Sequence, residues 1–162
     1  MHTAPDALVV PPGEGEGLWH TDVLWNLKIP AAATGGSFGL SEQLLPKGSA
    51  PPVHRHTHED EAWIVLEGEV TFFLDDSQYT VGPGTYVFGP RGRAHTFRVE
   101  SATARVATLI SPGAGEVFFH ATGRPAGALT LPPASDGAPD VEGLLAGMAE
   151  YGIEFIAPPP GH

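Results

Sequence analysis

Between Glu61 and Ser111 the chain repeats one pattern, a short apolar run closed by turn residues: EAWIVLEG, EVTFFLDD, SQYTVGPG, TYVFGPRG, AHTFRVES and ARVATLIS. Val, Ile, Phe, Tyr and Thr suit a pleated, half-buried surface, while the Gly, Pro, Asp and Ser that close each run suit tight turns. Short strands at this near-regular spacing predict an antiparallel sandwich or barrel. Upstream, DVLWNLKIP and SFGLSEQLLP predict two more strands, joined through the small-residue stretch AAATGG. One segment changes period. In DVEGLLAGMAEYG, Leu144, Leu145, Met148 and Tyr151 recur at helical spacing, with Asp140 placed to cap the start and Gly152 the stop. RPAGALTLPPASDGAP reads as a loop and APPPGH as a frayed tail.

The 162 residues therefore read as one all-β domain with a short C-terminal helix. N-terminal strands and an extension occupy residues 1–36, a β core residues 37–120, and a loop, the helix and a final strand or tail residues 121–162.

Composition narrows the chemistry. With no cysteine, the chain cannot form disulfides, thiolate nucleophiles or sulfur-ligated metal sites, so any metal must be held by nitrogen and oxygen. A formal charge of −11 opposes nucleic-acid phosphates and anionic lipid surfaces, and neither is an expected partner. Arg91, Arg93 and Arg98 form a local basic cluster suited to a small anion. The first residues lack a basic segment followed by a long apolar one, and no apolar run is long enough for a membrane span. A cytoplasmic protein is the expectation.

The densest chemistry lies in PPVHRHTHEDEAW, residues 51–63. Pro51 and Pro52 favour extended backbone, so His54 and His56 share one face of a strand, ~6.6 Å apart along it. Glu61 has the opposite parity and faces the same interior only if the chain reverses at 57–60. Trp63 and Val65 then follow it inward. A distant histidine, His95, opens a strand after a Pro-x-Gly turn, and in a closed barrel that strand can return beside the first. His54, His56, Glu61 and His95 could thus meet as three nitrogens and one oxygen, or else decorate a polar barrel mouth.

These residues carry a resemblance to the cupin superfamily. Gly48-x5-His54-x-His56-x4-Glu61-x6-Gly68 resembles the first cupin motif, and Gly84-x5-Pro90-x-Gly92-x2-His95 is similar to the second. The second motif usually ends in Asn, where this chain has Val99. The resemblance implies a double-stranded β-helix, the jelly-roll barrel of the cupins. It also implies one divalent transition metal (Fe, Ni, Mn, Co, Cu or Zn) held by His54, His56, Glu61 and His95. More narrowly, PPVHRHTHEDEAWIVLEGEVTFFL, PRGRAHTFRVES and GEVFF resemble single-domain quercetin 2,3-dioxygenase-like cupins. That likeness implies dioxygen and a small-molecule substrate such as a flavonol as partners, with Glu61 as ligand or as the catalytic base.

Trp63 and Phe97 share parity with Glu61 and His95 and either line an apolar substrate pocket or fill the core. His58 reads as an exposed turn residue. Glu59 and Asp60 read as a solvated acidic turn, with Asp60 a lesser candidate for the ligand position. Lys28, alone in an apolar run, reads as an edge-strand charge or a substrate contact. His2, His20, His120 and His162 join no constellation in the sequence.

Three function classes are compatible with this set: a metal-dependent dioxygenase acting on an aromatic or enolic molecule, a redox-silent isomerase, cyclase or lyase, and a binding cupin without chemistry. The apolar N-terminal strands and the C-terminal segment exceed what a minimal barrel needs, which leads us to expect a homodimer in which they cover an edge.

Overall fold

In the computed structural model, which describes residues 6–134 and 140–161, two antiparallel sheets lie face to face. His2, His162 and the 135–139 part of the expected loop lie outside the described residues. Among those described, the strands are β1 (Glu16–His20), β2 (Val23–Ile29), β3 (Gly39–Pro46), β4 (Val53–His56), β5 (Asp60–Glu67), β6 (Val70–Leu74), β7 (Ser77–Val81), β8 (Tyr86–Gly89), β9 (His95–Val99), β10 (Thr103–Ser111), β11 (Arg124–Pro125) and β12 (Ile153–Ala157). Two helices accompany them, α1 (Glu116–Thr122) and α2 (Val141–Glu150).

One sheet has the order β11-β1-β2-β3-β10-β5-β8, the other β12-β4-β9-β6-β7. From β3 to β10 the chain alternates between them, apart from the β6–β7 hairpin, and this winding is the expected double-stranded β-helix. Burial alternates along the strands: Ser41, Gln43 and Leu45 face inward on β3, Glu61, Trp63 and Val65 on β5, and Val106, Thr108 and Ile110 on β10. A period of two puts one face of each strand in the core. That core includes Leu45, Trp63, Val65, Val70, Phe72, Phe97, Val99 and Val106. Val99, standing where the motif has Asn, is buried in it, and its backbone exchanges hydrogen bonds with Gly48 and Ser49. Gly68 turns β5 into β6 at φ +83°, and a Cβ there would lie 2.4 Å from the Thr103 carbonyl oxygen. Only glycine fits that corner.

α2 forms where its period predicts, and the Asp140 carboxylate accepts from the Gly143 N–H at 2.9 Å, an N-cap. Gly152 ends the turn at φ +73°. The sequence expectations missed α1: its VFF run reads as β-type, and at seven residues it is too short for helical periodicity to show. AAATGG is a single 3-10 turn over Ala31–Thr34. α1 and α2 pack Phe118 against Met148 and Ile153 over one end of the sandwich.

Lys28 corrects an expectation. It lies on β2, an interior strand between β1 and β3, and its Nζ donates to the Glu14 carbonyl. It is neither an edge charge nor a lining residue of the main cavity.

Candidate metal centre and its cavity

β4 ends at His56 in the five-stranded sheet and β5 begins at Asp60 in the seven-stranded one. The chain crosses the sandwich between them. The expected reversal is therefore a change of sheet, and Glu61 looks back at His54 and His56 from the opposite wall. His95 arrives by strand pairing, as the direct antiparallel partner of His54. The Pro90–Gly92 turn before it is fixed by the Gly92 N–H, which donates to the His56 carbonyl at 2.8 Å.

One ligand atom from each of His54, His56, Glu61 and His95 lies within 4.8 Å of the other three. The Glu61 Oε2 is 3.2 Å from His56 Nε2 and 2.9 Å from His95 Nε2. The second nitrogen of each ring faces an acceptor. His54 Nδ1 is 2.8 Å from the Pro52 carbonyl oxygen, His95 Nδ1 is 3.1 Å from that of Arg93, and His56 Nδ1 is 3.4 Å from Glu59 Oε2. An Nδ1–H donated outward leaves the Nε2 lone pair turned inward, the tautomer a metal requires. The donors' separation suits bonds of ~2.0–2.2 Å to one centre. Imidazole and carboxylate donors without sulfur suit a divalent first-row metal. The four residues could hold such an ion.

Electrostatics describe the metal-free cluster. Burial would push the Glu61 carboxyl up, but His56 and then His95 outweigh it, by charge and hydrogen bonding, and hold it well below the usual carboxylate range. Burial would likewise lower His56, yet the Glu61 and Glu59 carboxylates raise it to about 10. His54 falls to about 4 through burial and the neighbouring His95. In the metal-free cluster His56 is thus the imidazolium facing the Glu61 carboxylate. A metal would displace that proton.

Other expectations resolve differently. Trp63 and Phe97 belong to the core cluster and also line the cavity beside the four donors, with the Trp63 and His95 ring centroids 5.2 Å apart. His58 is exposed. Glu59 is not solvated: it is 4% exposed, and its Oε2 and His56 Nδ1 have no better partner than each other. The chain change of sheet forces this, because residue 59 must pass over His56 before β5 begins. Asp60 does not reach the donor cluster. Arg91 grips it through Nη2 at 2.8 Å and Nε at 3.1 Å, pulling its carboxyl down to about 2. The basic cluster is likewise spent in pairs, Arg91 with Asp60, Arg93 with Asp75 and Arg98 with Glu100.

The cavity over the donors is about 130 Å³ and mostly apolar. Val23 and Leu45 line it from the sheet, and Phe118 and Phe119 of α1 with Met148 of α2 line it from the helices. Beyond the four donors the polar lining comes from His20, Thr21, Asp22, Ser49 and Gln43, whose Nε2 donates to Thr108 Oγ1 at 3.0 Å. Sequence reasoning passed over His20 because nothing near it in the chain suggests a partner. His120, by contrast, is exposed and pairs with Glu16 at 3.0 Å.

Residues 41–111 match the Cupin domain family model. Over 117 residues the chain is 29% identical to the quercetin 2,3-dioxygenase of Bacillus subtilis (strain 168), a match covering 72% of this chain and 35% of that protein. The chain thus spans about a third of the length of the curated relative it matches. Among solved structures, a Thermotoga maritima protein described as a predicted oxalate decarboxylase gives a TM-score of 0.57 at 18% identity, covering 65% of this chain and 98% of that one. The ectoine synthase of P. lautus gives 0.55 at 20% identity, over 78% of this chain and 88% of its own. At these identities the two structures speak to the fold alone.

Proposed function

This chain belongs to the cupin superfamily, and on that premise we propose that it is a metal-dependent dioxygenase acting on an aromatic or enolic small molecule. The observation that carries the reading is the convergence of four nitrogen and oxygen donors in the wall of a partly open, mostly apolar cavity. His54, His56, Glu61 and His95 would hold one divalent transition metal. Such an ion, when bound with positions left open, supplies Lewis acidity to an acidic hydroxyl and a redox centre for dioxygen.

The remaining work falls to the chain's own side chains. Glu61, ionised in this environment, is placed either to ligate or to accept the proton an enol gives up on binding. The Trp63 and Phe97 rings pack against a planar substrate and exclude water from it. Pro52, Glu59 and Arg93 hold the three imidazoles in orientation. The likeness to quercetin 2,3-dioxygenase supports this choice of reaction. The test is oxygen uptake by metal-loaded protein offered enolic substrates. Binding without any oxygen consumption refutes the dioxygenase, and turnover that persists under strict anoxia assigns the site to isomerase, cyclase or lyase chemistry instead.

The reading includes a homodimer. Tyr86 and Phe88 on β8 are exposed beside Ile64 and Ala62 of β5, with exposed Leu66 on the same outer face. An apolar sheet face of this kind suits a second copy. A sedimentation mass equal to one chain would remove the dimer from the proposal.

A further inference from the structure

Two titratable side chains on the cavity wall, His20 and Asp22, have no task in the metal reading; Asp22 is exposed and accepts from the Thr21 and Ser49 hydroxyls, which leaves His20 as the buried one. It ends β1, and the His20↔Val23 pairing leaves a two-residue loop of Thr21 and Asp22. Thr21 takes φ +53°, a conformation that L side chains other than Asn and Asp rarely adopt, and that strain sits at the tip presenting His20. The ring is 8% exposed, held edge-on between Phe118 and Phe119 with centroids 5.3 Å away in each case. Among the described residues neither ring nitrogen has a hydrogen-bond partner. Burial lowers its pKa to about 4 against a weaker upward pull from Asp22. A neutral imidazole offers one donor and one acceptor.

Cavity size bounds what can meet it. At about 130 Å³ the space is close to the ~150 Å³ apolar cavity that holds one benzene ring. That space holds one ring between the donors and His20, and because the cavity is partly open the further rings of a flavonol would have to lie outside it.

We propose that the cavity takes a single-ring enol whose acidic hydroxyl faces the His54–His56–Glu61–His95 cluster and whose second, distal oxygen is read by His20. This rests on the metal reading above and narrows its substrate to one ring with polar groups at both ends. A ligand without the distal oxygen leaves the buried imidazole unpaired, and sites built this way discriminate strongly.

Two hydroxypyranones that differ by one oxygen test the idea. Kojic acid carries a hydroxymethyl group across the ring from its acidic hydroxyl, and allomaltol carries a methyl there. Both are titrated without oxygen into cobalt(II)-loaded protein, followed by the visible cobalt spectrum, with quercetin as the three-ring probe. Wild type is expected to bind kojic acid about tenfold more tightly than allomaltol, and His20→Phe to bring the two within about twofold. His20→Gln, which restores a donor and an acceptor, is expected to recover part of the preference, and quercetin to bind more weakly than either pyranone. Equal affinities in wild type, an unchanged preference in His20→Phe, or tighter binding of quercetin would each overturn the proposal. Cobalt uptake is read separately in the same spectra. Loaded protein without a preference sinks the role of His20 alone, whereas protein that takes up no cobalt sinks the metal reading and this inference together.

Discussion

Replacing Glu59 tests whether a residue outside the donor cluster governs metal affinity. Its Oε2 lies 3.4 Å from His56 Nδ1, and Glu59 and His56 are each 4% exposed. At that separation two unit charges attract by roughly 5 kcal/mol at an effective dielectric of 20, but most of this offsets the cost of taking both groups out of water. The net effect expected for an outer partner of a ligating histidine is about 10–100-fold in metal affinity. Glu59→Gln keeps the shape and an acceptor oxygen but loses the charge, so it should weaken zinc binding by about tenfold. Glu59→Ala also removes the acceptor and frees the ring to rotate, and should approach about 100-fold. Zinc affinity is measured by competition with a chromophoric chelator, with thermal melts confirming that each variant folds. Should Glu59→Ala hold zinc within about twofold of wild type, the buried carboxylate is packing only, and the account of how His56 is oriented fails.

Three further outcomes follow from the same geometry. Folding should lose stability in metal-free protein as pH falls from the ordinary histidine value of 6.5 toward the about 4 of buried His20, because the unfolded chain takes up the proton first. That one group contributes at most ~3 kcal/mol, present above pH 6.5 and gone below 4, and the wild-type minus His20→Phe difference in unfolding free energy across that window isolates it. Gly89→Ala places a Cβ 2.9 Å from two atoms of the Trp63 ring and 3.4 Å from His95 Nδ1, so it should cost about 1–3 kcal/mol by denaturant titration and loosen metal binding. Metal at about 1,000 times its dissociation constant should raise stability by ~4 kcal/mol, a gain reversed by chelator and absent in His95→Ala, as calorimetric melts will report.

The legible parts of this protein were those whose signal is local. Alternation of apolar and polar residues along β3, β5 and β10 is set by the pleat, so the strands and their inward faces could be read residue by residue. The Asp140 cap and the Gly152 stop lie within one short segment and were read for the same reason. His54, His56, Glu61 and His95 were legible as a set because their spacing in two segments is itself unusual. Where reading failed, the signal was absent from the neighbourhood. Polar Glu59, in a run of acids and histidines, looks solvated until the chain's passage between sheets lays it over His56. Arg91, Arg93 and Arg98 look like one positive patch until Asp60, Asp75 and Glu100 neutralise each in turn.

By itself, the sequence determined the all-β character, the cysteine-free donor set and which side chains could hold a metal, since these depend on residue type, spacing and a period of two. Only the tertiary structure decided that His54 pairs with His95, that Glu61 answers from the opposite sheet, and that His20 shares their cavity under α1 and α2. Strand partners and lids are chosen by contacts between residues far apart in the chain, where no local preference distinguishes one register or one neighbour from another.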